Sequence, residues 1–495
     1  MLDANTGAAA LPDHTDTLTA DLCVVGAGIA GMNALYVATD YLPKGTRVVV
    51  IDRKPGPGGM WNSVYDYVRL HQPHPMFTTG DVKWQLGKPA DYLATQGEVQ
   101  AHLNHCMDII RAHLDLVELY GHEFDTAEEQ SENGATTVHI TCHDAQGRTR
   151  TIAANRMINA AAFDIPVPEP LTLSSRAVTS ITPQTLTRDA FGSDAPAYII
   201  GGGKTGMDTA LALMTENPNR KIVLLNGQGT VFAKRDLFFP TTMKERWFGG
   251  QLLIQSFRDA TMRFDGTNAD EVYRYFTDSF CISPDGSGEQ FFFGLLSEDE
   301  ANRLNAGLSE TIGDYLEDVI DTAEGPAMVL RKGGTRHMEP GAIVLNCTGH
   351  VLRHDQPEAQ LLSDKGAILS INAREAIHFL TSVSGYFLTH LFLSDKLKEA
   401  PLYVLDLDTL RRKDRKVWQM SAATLSFMNA IVLIDTLPFK VMDRCGLDMD
   451  RWYPLWRRMG ALIDIKRNRT RYLDHCRKVL DRIARDYDVR SGPML

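Results

Sequence analysis

A repeated pattern of an apolar run, a glycine cluster and a longer mixed stretch organises the chain. Residues 21–25 form a β-branched apolar run with the length of a buried parallel strand, and the glycine cluster at 26–31 follows at once. Residues 32–40 carry helix-compatible side chains, and the next apolar run, 47–51, ends at Asp52. The pattern therefore predicts a strand, turn, helix and strand near the N-terminus.

The glycines of this unit have the GxGxxG spacing of a dinucleotide-binding turn. Gly26 permits the tight turn, Gly28 lets a diphosphate approach the backbone, and Gly31 lets the helix pack closely on the strand. The helix then begins at Ile29 and Ala30, whose free amides and positive dipole end would face the phosphates. We therefore predict a diphosphate site at this turn.

The residues after the second strand extend this site. A carboxylate 21 residues beyond Gly31 is placed to accept both hydroxyls of an adenosine ribose. The segment 55–61 then supplies flexible, glycine-containing backbone where a long dinucleotide passes close to the chain. We therefore predict FAD rather than NAD. The residues predicted to contact it beyond the turn are Asp52, Arg53, Gly59, Met60 and Trp61.

The same pattern recurs near the middle of the chain. The apolar run 197–200 leads into a second GxGxxG cluster at 201–206, a helix-forming stretch at 207–214, and a further apolar run at 221–225. This arrangement predicts a second dinucleotide site. The residues predicted to hold its diphosphate are Gly201, Gly203, Lys204, Thr205 and Gly206.

The second site differs from the first at the end of its second strand. Asn226 stands where a carboxylate is usual, 20 residues after Gly206. Because a carboxylate would repel a 2′-phosphate, Asn226 with Lys234 and Arg235 downstream favours NADPH over NADH, with ordinary solvated charges as the alternative for the two cations. A P-loop would need glycine at position 198, where Tyr198 stands, so an ATPase site is excluded.

Composition narrows the class of protein. With 495 residues the chain is about three times a typical domain, so two or three domains are expected. Its apolar fraction of 44% and charged fraction of 23% are typical of soluble globular proteins. The net charge of −11 gives no general basic surface for nucleic acid, so small molecules are the expected partners.

Cysteine usage and apolar stretches bear on location. The seven cysteines are scattered without a CxxC pair, so neither a disulfide framework nor a metal site is predicted. Residues 1–20 lack the features of a signal peptide and are expected to form a loose polar tail. The apolar stretch 425–437 contains Asn429 and Asp435, so we predict a buried helix there and no transmembrane segment. A cytoplasmic protein is expected.

Four motifs together resemble the class B flavin-dependent monooxygenases, which include Baeyer–Villiger monooxygenases and microbial N-hydroxylases. They are the two glycine turns, the Gly-Gly-Met-Trp sequence at 58–61, and an apolar strand at 343–346 that ends in Cys-Thr-Gly-His. The resemblance covers most of residues 20–410. It implies an α/β fold with two Rossmann-like domains, for FAD and NADPH, and a helical C-terminal extension.

The resemblance also implies domain boundaries. The FAD-binding domain is expected at 19–165 and 341–410, the NADPH-binding domain at 166–340, and the helical region at 411–495. Residues 236–340 contain an aromatic stretch that is expected to be either a substrate-covering insertion or buried core.

Further site residues follow from the resemblance alone. The stretch after Trp61 is expected to run along the flavin, which implies catalytic roles for Arg69, His71, Gln72 and His74. Phe124 is expected beside the adenine. Ala161 stands in the turn after a return strand, and Gly349 belongs to the family's Thr-Gly turn.

The chain departs from the family at two points. The usual glycine-bearing turn is replaced by Ala161, Ala162 and Phe163, and the Baeyer–Villiger fingerprint has no counterpart between Phe163 and Pro183, a segment without histidine. Lactone formation is therefore disfavoured.

The implied activity is that of an FAD-dependent, NADPH-using monooxygenase. In such enzymes NADPH reduces the flavin, which reacts with O2 to form a C4a-(hydro)peroxyflavin that transfers one oxygen atom to a small organic substrate. Two alternatives stay open: an NAD(P)H oxidoreductase or oxidase that does not insert oxygen, and a flavin-bound scaffold without catalysis. The missing paired cysteines disfavour a disulfide reductase.

The C-terminal region has a charge opposite to that of the whole chain. Residues 451–486 carry eleven Lys or Arg against four Asp. A contact of these basic helices with an acidic surface, anionic lipid or a second copy stays open beside a simply solvated face.

Overall fold

Strands and helices alternate along most of the computed structural model, which describes residues 17–161, 167–284, 286, 288, 290–349, 360–371, 378 and 380–494. The strands are β1 Leu18–Val25, β2 Arg47–Asp52, β3 Asp115–Tyr120, β4 His122–Glu132, β5 Ala135–Asp144, β6 Thr149–Asn159, β7 Thr179–Ile181, β8 Ala197–Ile200, β9 Ile222–Leu225, β10 Thr230–Lys234, β11 Cys281–Ile282, β12 Gln290–Leu296, β13 Glu310–Ile312, β14 Leu316–Thr322, β15 Gly325–Leu330, β16 Thr335–His337, β17 Ile343–Asn346, β18 Ile368–Ser370, β19 Tyr403–Leu405 and β20 Ser491–Pro493. The helices are α1 Ile29–Tyr41, α2 Gln96–Arg111, α3 Arg188–Gly192, α4 Lys204–Glu216, α5 Arg235–Phe238, α6 Met243–Phe248, α7 Leu253–Arg263, α8 Ala269–Phe280, α9 Glu298–Gly307, α10 Thr381–Leu393, α11 Leu407–Lys413, α12 Arg415–Thr436, α13 Phe439–Asp443, α14 Leu455–Arg467 and α15 Arg469–Asp486.

Some sequence predictions concern residues outside these ranges. They are most of the polar N-terminal tail, the turn residues Ala162 and Phe163, and His350.

The first sheet contains the first predicted dinucleotide unit. Its strand order is β3-β2-β1-β6-β5-β4, and β18 pairs with β6. β1 is parallel to both β2 and β6, with Val24 opposite Val50 and Ile158. Because parallel strands end at the same edge, the first glycine turn and Asp52 lie together there.

The second sheet contains the second predicted unit. Its order is β13-β9-β8-β17-β7, and its strands are parallel. β17 lies between β8 and β7, whereas the expected boundary at 340/341 assigns it to the FAD domain. The apolar residues 343–345 fit a central strand of either sheet, and hydrogen bonding to β8 decides between them.

The aromatic insertion and the C-terminal region form one helical layer instead of two separate parts. α12 packs against α7, α8 and α15, and its residues 417–429 are continuously buried. Phe276, Phe280 and Phe291 belong to the same apolar core as this helix. The buried-core alternative therefore applies to these three aromatic residues.

The returning helix α10 completes the part of the molecule around α1. α10 packs along α1, and a Cβ on Gly385 would lie only 3.0 Å from the carbonyl oxygen of Ala30. The short strand β19 pairs with β20 rather than with the first sheet.

One helix among the described residues is long and apolar enough to span a membrane. It is α12, and 89% of its most apolar window is buried inside the protein. The predicted buried helix at 425–437 lies mostly within it, and its burial is typical of a core helix.

Candidate functional site

The first glycine turn has the local geometry that its sequence predicts. Gly26 adopts a φ of +96°, and a Cβ on Gly31 would lie 1.8 Å from the carbonyl oxygen of Gly26. Gly28 precedes α1 with no capping side chain. The amides of Ile29 and Ala30 therefore lie at an uncapped helix N-terminus, which is suited to an anion.

Asp52 is held at the mouth of this turn. Its Oδ2 accepts a hydrogen bond from the Ala27 amide at 2.5 Å, and its Oδ1 accepts one from the Lys54 amide at 2.7 Å. Each carboxylate oxygen has a second lone pair, so both can still accept a ribose hydroxyl. Arg53 is exposed beside it.

The predicted glycine-rich segment crosses the first turn. Gly59 adopts a φ of +55°, and a Cβ on it would lie 2.8 Å from the Cα of Gly28. The Gly58 amide donates to the Ala27 carbonyl at 2.8 Å. Met60 is exposed, whereas Trp61 is buried with its ring edge-on to Phe77. Only glycine fits where Gly59 approaches Gly28 this closely. The first turn and the segment that crosses it together fit the diphosphate of a dinucleotide.

The second glycine turn has the same construction. Gly201 adopts a φ of +117°, and a Cβ on Gly206 would lie 2.1 Å from the Gly201 carbonyl oxygen. A Cβ on Gly203 would meet nothing within 4 Å. The backbone at Gly203 is therefore open to the close approach of a diphosphate.

A cavity of about 240 Å³ lies beside the second turn. Gly202, Asn226, Thr230 and Asn305 are among its lining residues. Its other lining residues include the apolar side chains of Met207, Leu224 and Leu308, so the cavity offers amides and hydroxyls for a ribose beside apolar surface for a base. This site also fits a dinucleotide.

Lys234 and Arg235 lie away from that cavity. Thr230 lines the cavity at the start of β10, and Lys234 ends the same strand, about 13 Å further along at roughly 3.3 Å per residue. Arg235 Nε donates to the His71 carbonyl at 2.6 Å, and its guanidinium pairs with Glu300 at 2.9 Å. The structure therefore does not bring these two cations to Asn226.

The stretch at 65–71 joins the two units. The Tyr65 hydroxyl donates to Asp208 of α4 at 3.1 Å, and the Tyr67 hydroxyl shares a hydrogen bond with Thr209 Oγ1 at 2.9 Å. Sequence reasoning missed these contacts. The sequence did contain one indication of a polar cluster here, because Asp208 lies one helical turn after Lys204 on the same face of the helix.

His71, Lys204 and Arg235 lie close together where the stretch 65–71 meets α4. This region between the two units is called the crevice below. Lys204 pairs with Asp208, and both side chains are largely buried. Burial and the positive charges of Lys204 and Arg235 hold the pKa of His71 well below its usual value. Although burial acts to raise it, Arg235 and Lys204 hold the pKa of Glu300 below its usual value. His71 is therefore neutral beside two cations and a carboxylate.

The other residues expected along the flavin are Arg69, Gln72 and His74. The Arg69 side chain is exposed and donates to the Leu93 carbonyl at 2.9 Å. His74 is buried, with its Nδ1 bonded to the Tyr92 carbonyl at 3.0 Å and its ring edge-on to Trp84. Gln72 is half-buried between them. Arg69 and His74 thus have structural partners outside the crevice.

The remaining predicted residues divide between the turn mouths and the core. A Cβ on Gly26 would lie 3.1 Å from the Ala161 amide, so Ala161 is at the mouth of the first turn. Gly349 follows the segment that meets Gly201, and it has open space around its Cα. Phe124 packs on the core of the first sheet opposite Cys142.

Known protein families and structures identify the fold to which this geometry belongs. Residues 24–98 match the family model described as an NAD(P)-binding Rossmann-like domain. The structure is similar to cyclohexanone monooxygenase from Rhodococcus sp. Phi1 bound to NADP+, with a TM-score of 0.50, 13% identity, and coverage of 91% of this chain and 98% of that one. The chain shares its fold with this enzyme. The predicted α/β class and the predicted resemblance are confirmed at this level.

Two further matches are weaker or shorter. Ornithine hydroxylase from Pseudomonas aeruginosa has a TM-score of 0.48 and 13% identity, with coverage of 77% of this chain and 99% of that one. An uncharacterised protein of Mycobacterium tuberculosis strain H37Rv is 29% identical over 216 residues, which is 40% of this chain and 36% of that protein. The chain thus matches little more than a third of the length of this curated relative.

Proposed function

We propose that the protein is an FAD-dependent, NADPH-using monooxygenase. The observation that carries the proposal is the stretch at 65–71. It follows the segment 58–61, which crosses the first glycine turn, and it docks on the helix that follows the second turn. Two dinucleotides held at these turns would meet at this stretch. The fold shared with cyclohexanone monooxygenase, whose structure holds NADP+, supports the same arrangement.

The first unit would hold FAD. The turn at 26–31 would bind its diphosphate, Asp52 its ribose, and the segment 59–61 would cover it, with β18 and α10 completing the domain. FAD held there would supply the redox chemistry, namely the capacity to accept electrons from a nicotinamide and to pass them to O2. We propose this division in place of the boundary at 340/341.

The second unit would hold NADPH. Its turn at 201–206 would bind the diphosphate, and the cavity beside Asn226 would take the adenosine. A neutral residue at Asn226 tolerates a 2′-phosphate that a carboxylate would repel. Asn226 therefore carries the NADPH preference, and Lys234 and Arg235 do not contribute to it.

The crevice residues would orient the two cofactors. Arg235 fixes the backbone at His71, and Tyr65 and Tyr67 fix the same stretch to α4. The neutral ring of His71 offers one N–H donor and one acceptor nitrogen. The side chains of this chain would thus position the reacting groups and exclude water, and the cofactor would supply the electrons.

Measuring the fate of the oxygen consumed distinguishes a monooxygenase from an oxidase. The FAD-loaded protein is supplied with NADPH, labelled O2 and a panel of amines, sulfides and ketones. A monooxygenase places label in a product and releases less hydrogen peroxide than the NADPH consumed. Peroxide equal to NADPH with every substrate would support an oxidase instead, and a protein that never oxidises NADPH would support a scaffold.

A further inference from the structure

An exposed apolar surface lies on two helices that contribute no residue to the dinucleotide turns. It combines side chains from α6 and α14, here called the aromatic patch: Met243, Trp247, Phe248, Leu455, Trp456, Met459 and Ile463. Phe248 is 78% exposed and Trp456 is 52% exposed. Ring centroids lie 6.4 Å apart between Trp247 and Phe248 and again between Phe248 and Trp456. The patch is therefore continuous across the two helices.

α14 presents its larger apolar side chains outward. Leu455, Met459 and Ile463 recur every four residues on one exposed face, whereas only Ala461 and Ile465 of this helix are buried. A surface helix normally has the opposite arrangement, with its apolar stripe on the core. Contacts with the described part of the chain do not explain this outward apolar face.

The patch rests on well-bonded structure. Arg457 donates to the carbonyl oxygens of Arg246 and Gly249, and Arg246 donates to the Trp452 carbonyl at 2.8 Å. Arg458 pairs with Asp443 of α13 at 2.9 Å. These contacts join α6, α13 and α14, so the exposed rings are held in place relative to each other.

Cations border the patch. Lys244 is exposed on α6 between Met243 and Trp247, and α14 ends in exposed Lys466 and Arg467. Lys466 and Arg467 belong to the basic C-terminal segment 451–486, although the whole chain has a net charge of −11. Trp, Phe and Leu beside Lys and Arg are typical of helices that lie in the interface of an anionic bilayer.

We propose that the aromatic patch docks the protein peripherally on an anionic lipid bilayer. The two indole rings and Phe248 would enter the boundary between headgroups and acyl chains, and Lys244, Lys466 and Arg467 would meet the lipid phosphates. A second copy of the chain fits less well. A twofold contact would bring together two surfaces that have the same positive border, whereas an anionic bilayer offers the opposite charge.

Vesicle binding by the full-length protein tests this proposal. Wild type is sedimented with phosphatidylcholine vesicles that contain phosphatidylglycerol or lack it. We expect binding to the anionic vesicles that weakens as salt rises. The triple variant Trp247→Ser, Phe248→Ser, Trp456→Ser should bind at least about tenfold more weakly. Ile109→Ser is the matched control, because Ile109 is similarly exposed, at 40%, on α2.

A charge-reversal pair completes the test. Lys466→Glu with Arg467→Glu should lose the preference for anionic vesicles, whereas Lys44→Glu with Lys83→Glu, exposed cations beside the first unit, should keep it. If wild type binds neither vesicle, the proposal is wrong. If it binds neither but forms a dimer that the triple aromatic variant dissociates, the patch is a protein interface.

Discussion

The first dinucleotide turn depends on single residues that cannot carry a side chain. A Cβ on Gly26 would lie 3.0 Å from the carbonyl of Ala160, in a conformation with a φ of +96°. A Cβ on Gly31 would lie 1.8 Å from the carbonyl oxygen of Gly26, which is a severe clash. The absence of a side chain at these positions therefore allows the backbone its path and also leaves room for a diphosphate.

We predict that Gly26→Ala weakens FAD binding by about tenfold or more, because the new methyl group meets the Ala160 backbone at a φ that costs alanine about 1–3 kcal/mol. Fluorescence titration with FAD measures the effect. Gly134→Ala is the control: Gly134 also has a positive φ, +80°, but open space surrounds it in the hairpin between β4 and β5. Equal affinity for FAD in Gly26→Ala and wild type would contradict this account of the turn.

Cofactor preference is also decided at one residue. We predict that Asn226→Asp lowers the ratio of kcat/KM for NADPH to that for NADH by about tenfold, since the new carboxylate would repel a 2′-phosphate beside the cavity. Steady-state kinetics with both nucleotides measure the ratio. Asn219→Asp adds the same charge at an exposed site in the same unit and should leave the ratio unchanged. Arg235→Ala should also leave it unchanged, whereas a change there would restore the 2′-phosphate role for Arg235.

At the scale of elements, the stretch at 65–71 acts as the link between the two units. It carries a backbone carbonyl bonded by Arg235 and two tyrosines bonded to α4. Hydride transfer requires the two cofactors to meet within a fraction of an ångström of the reactive geometry. The position of this stretch should therefore affect the rate more than it affects the affinity for either cofactor.

We predict that Arg235→Ala slows reduction of the bound flavin by NADPH about tenfold, because the His71 backbone loses its 2.6 Å anchor. Stopped-flow absorbance at saturating NADPH measures this rate. Arg69→Ala is the control within the same stretch, since its side chain reaches only Leu93 and Tyr92 outside the crevice. A slower rate for Arg69→Ala, with Arg235→Ala unaffected, would contradict the role given to Arg235.

The pattern of apolar residues and glycines predicted the strands and helices that depend mainly on residues close by in the sequence. β1, α1 and β2, and β8, α4 and β9, follow from apolar runs and glycine spacing that the chain carries within about 30 residues. The pairing of β17 and of β19 was not predictable in this way, because an apolar run of three or four residues fits several sheets. The contacts of Tyr65 and Tyr67 likewise depend on a helix about 140 residues away.

At the scale of the whole molecule, several histidines are buried in their neutral form. Burial lowers the pKa of His102 to about 3, and the pKa values of His378 and His390 to about 4, from the usual 6.5. His102 stacks on Trp84, with its Nε2 bonded to Thr78. Protonation would leave charges in the core, so the folded state takes up these protons less readily than the unfolded chain.

We predict that the free energy of unfolding falls as pH drops below about 6.5, by about 2–5 kcal/mol at roughly pH 5. The stability is complete above the unfolded pKa and is lost as pH falls toward the folded values, because only the unfolded chain binds protons in that range. Chemical denaturation at a series of pH values measures the slope. His102→Gln should flatten the slope, and an unchanged slope would contradict the assignment to His102.

The central claim is that two dinucleotides bind at facing glycine turns and exchange electrons. An anaerobic titration of the FAD-loaded protein with NADPH tests it most directly, with the visible absorbance of the flavin as readout. The account predicts that the flavin band bleaches with one NADPH per flavin, and that Gly203→Val, which fills the open space at the second turn, abolishes bleaching while FAD stays bound. A purified protein that takes up no flavin, or whose bound flavin NADPH fails to reduce, would contradict it.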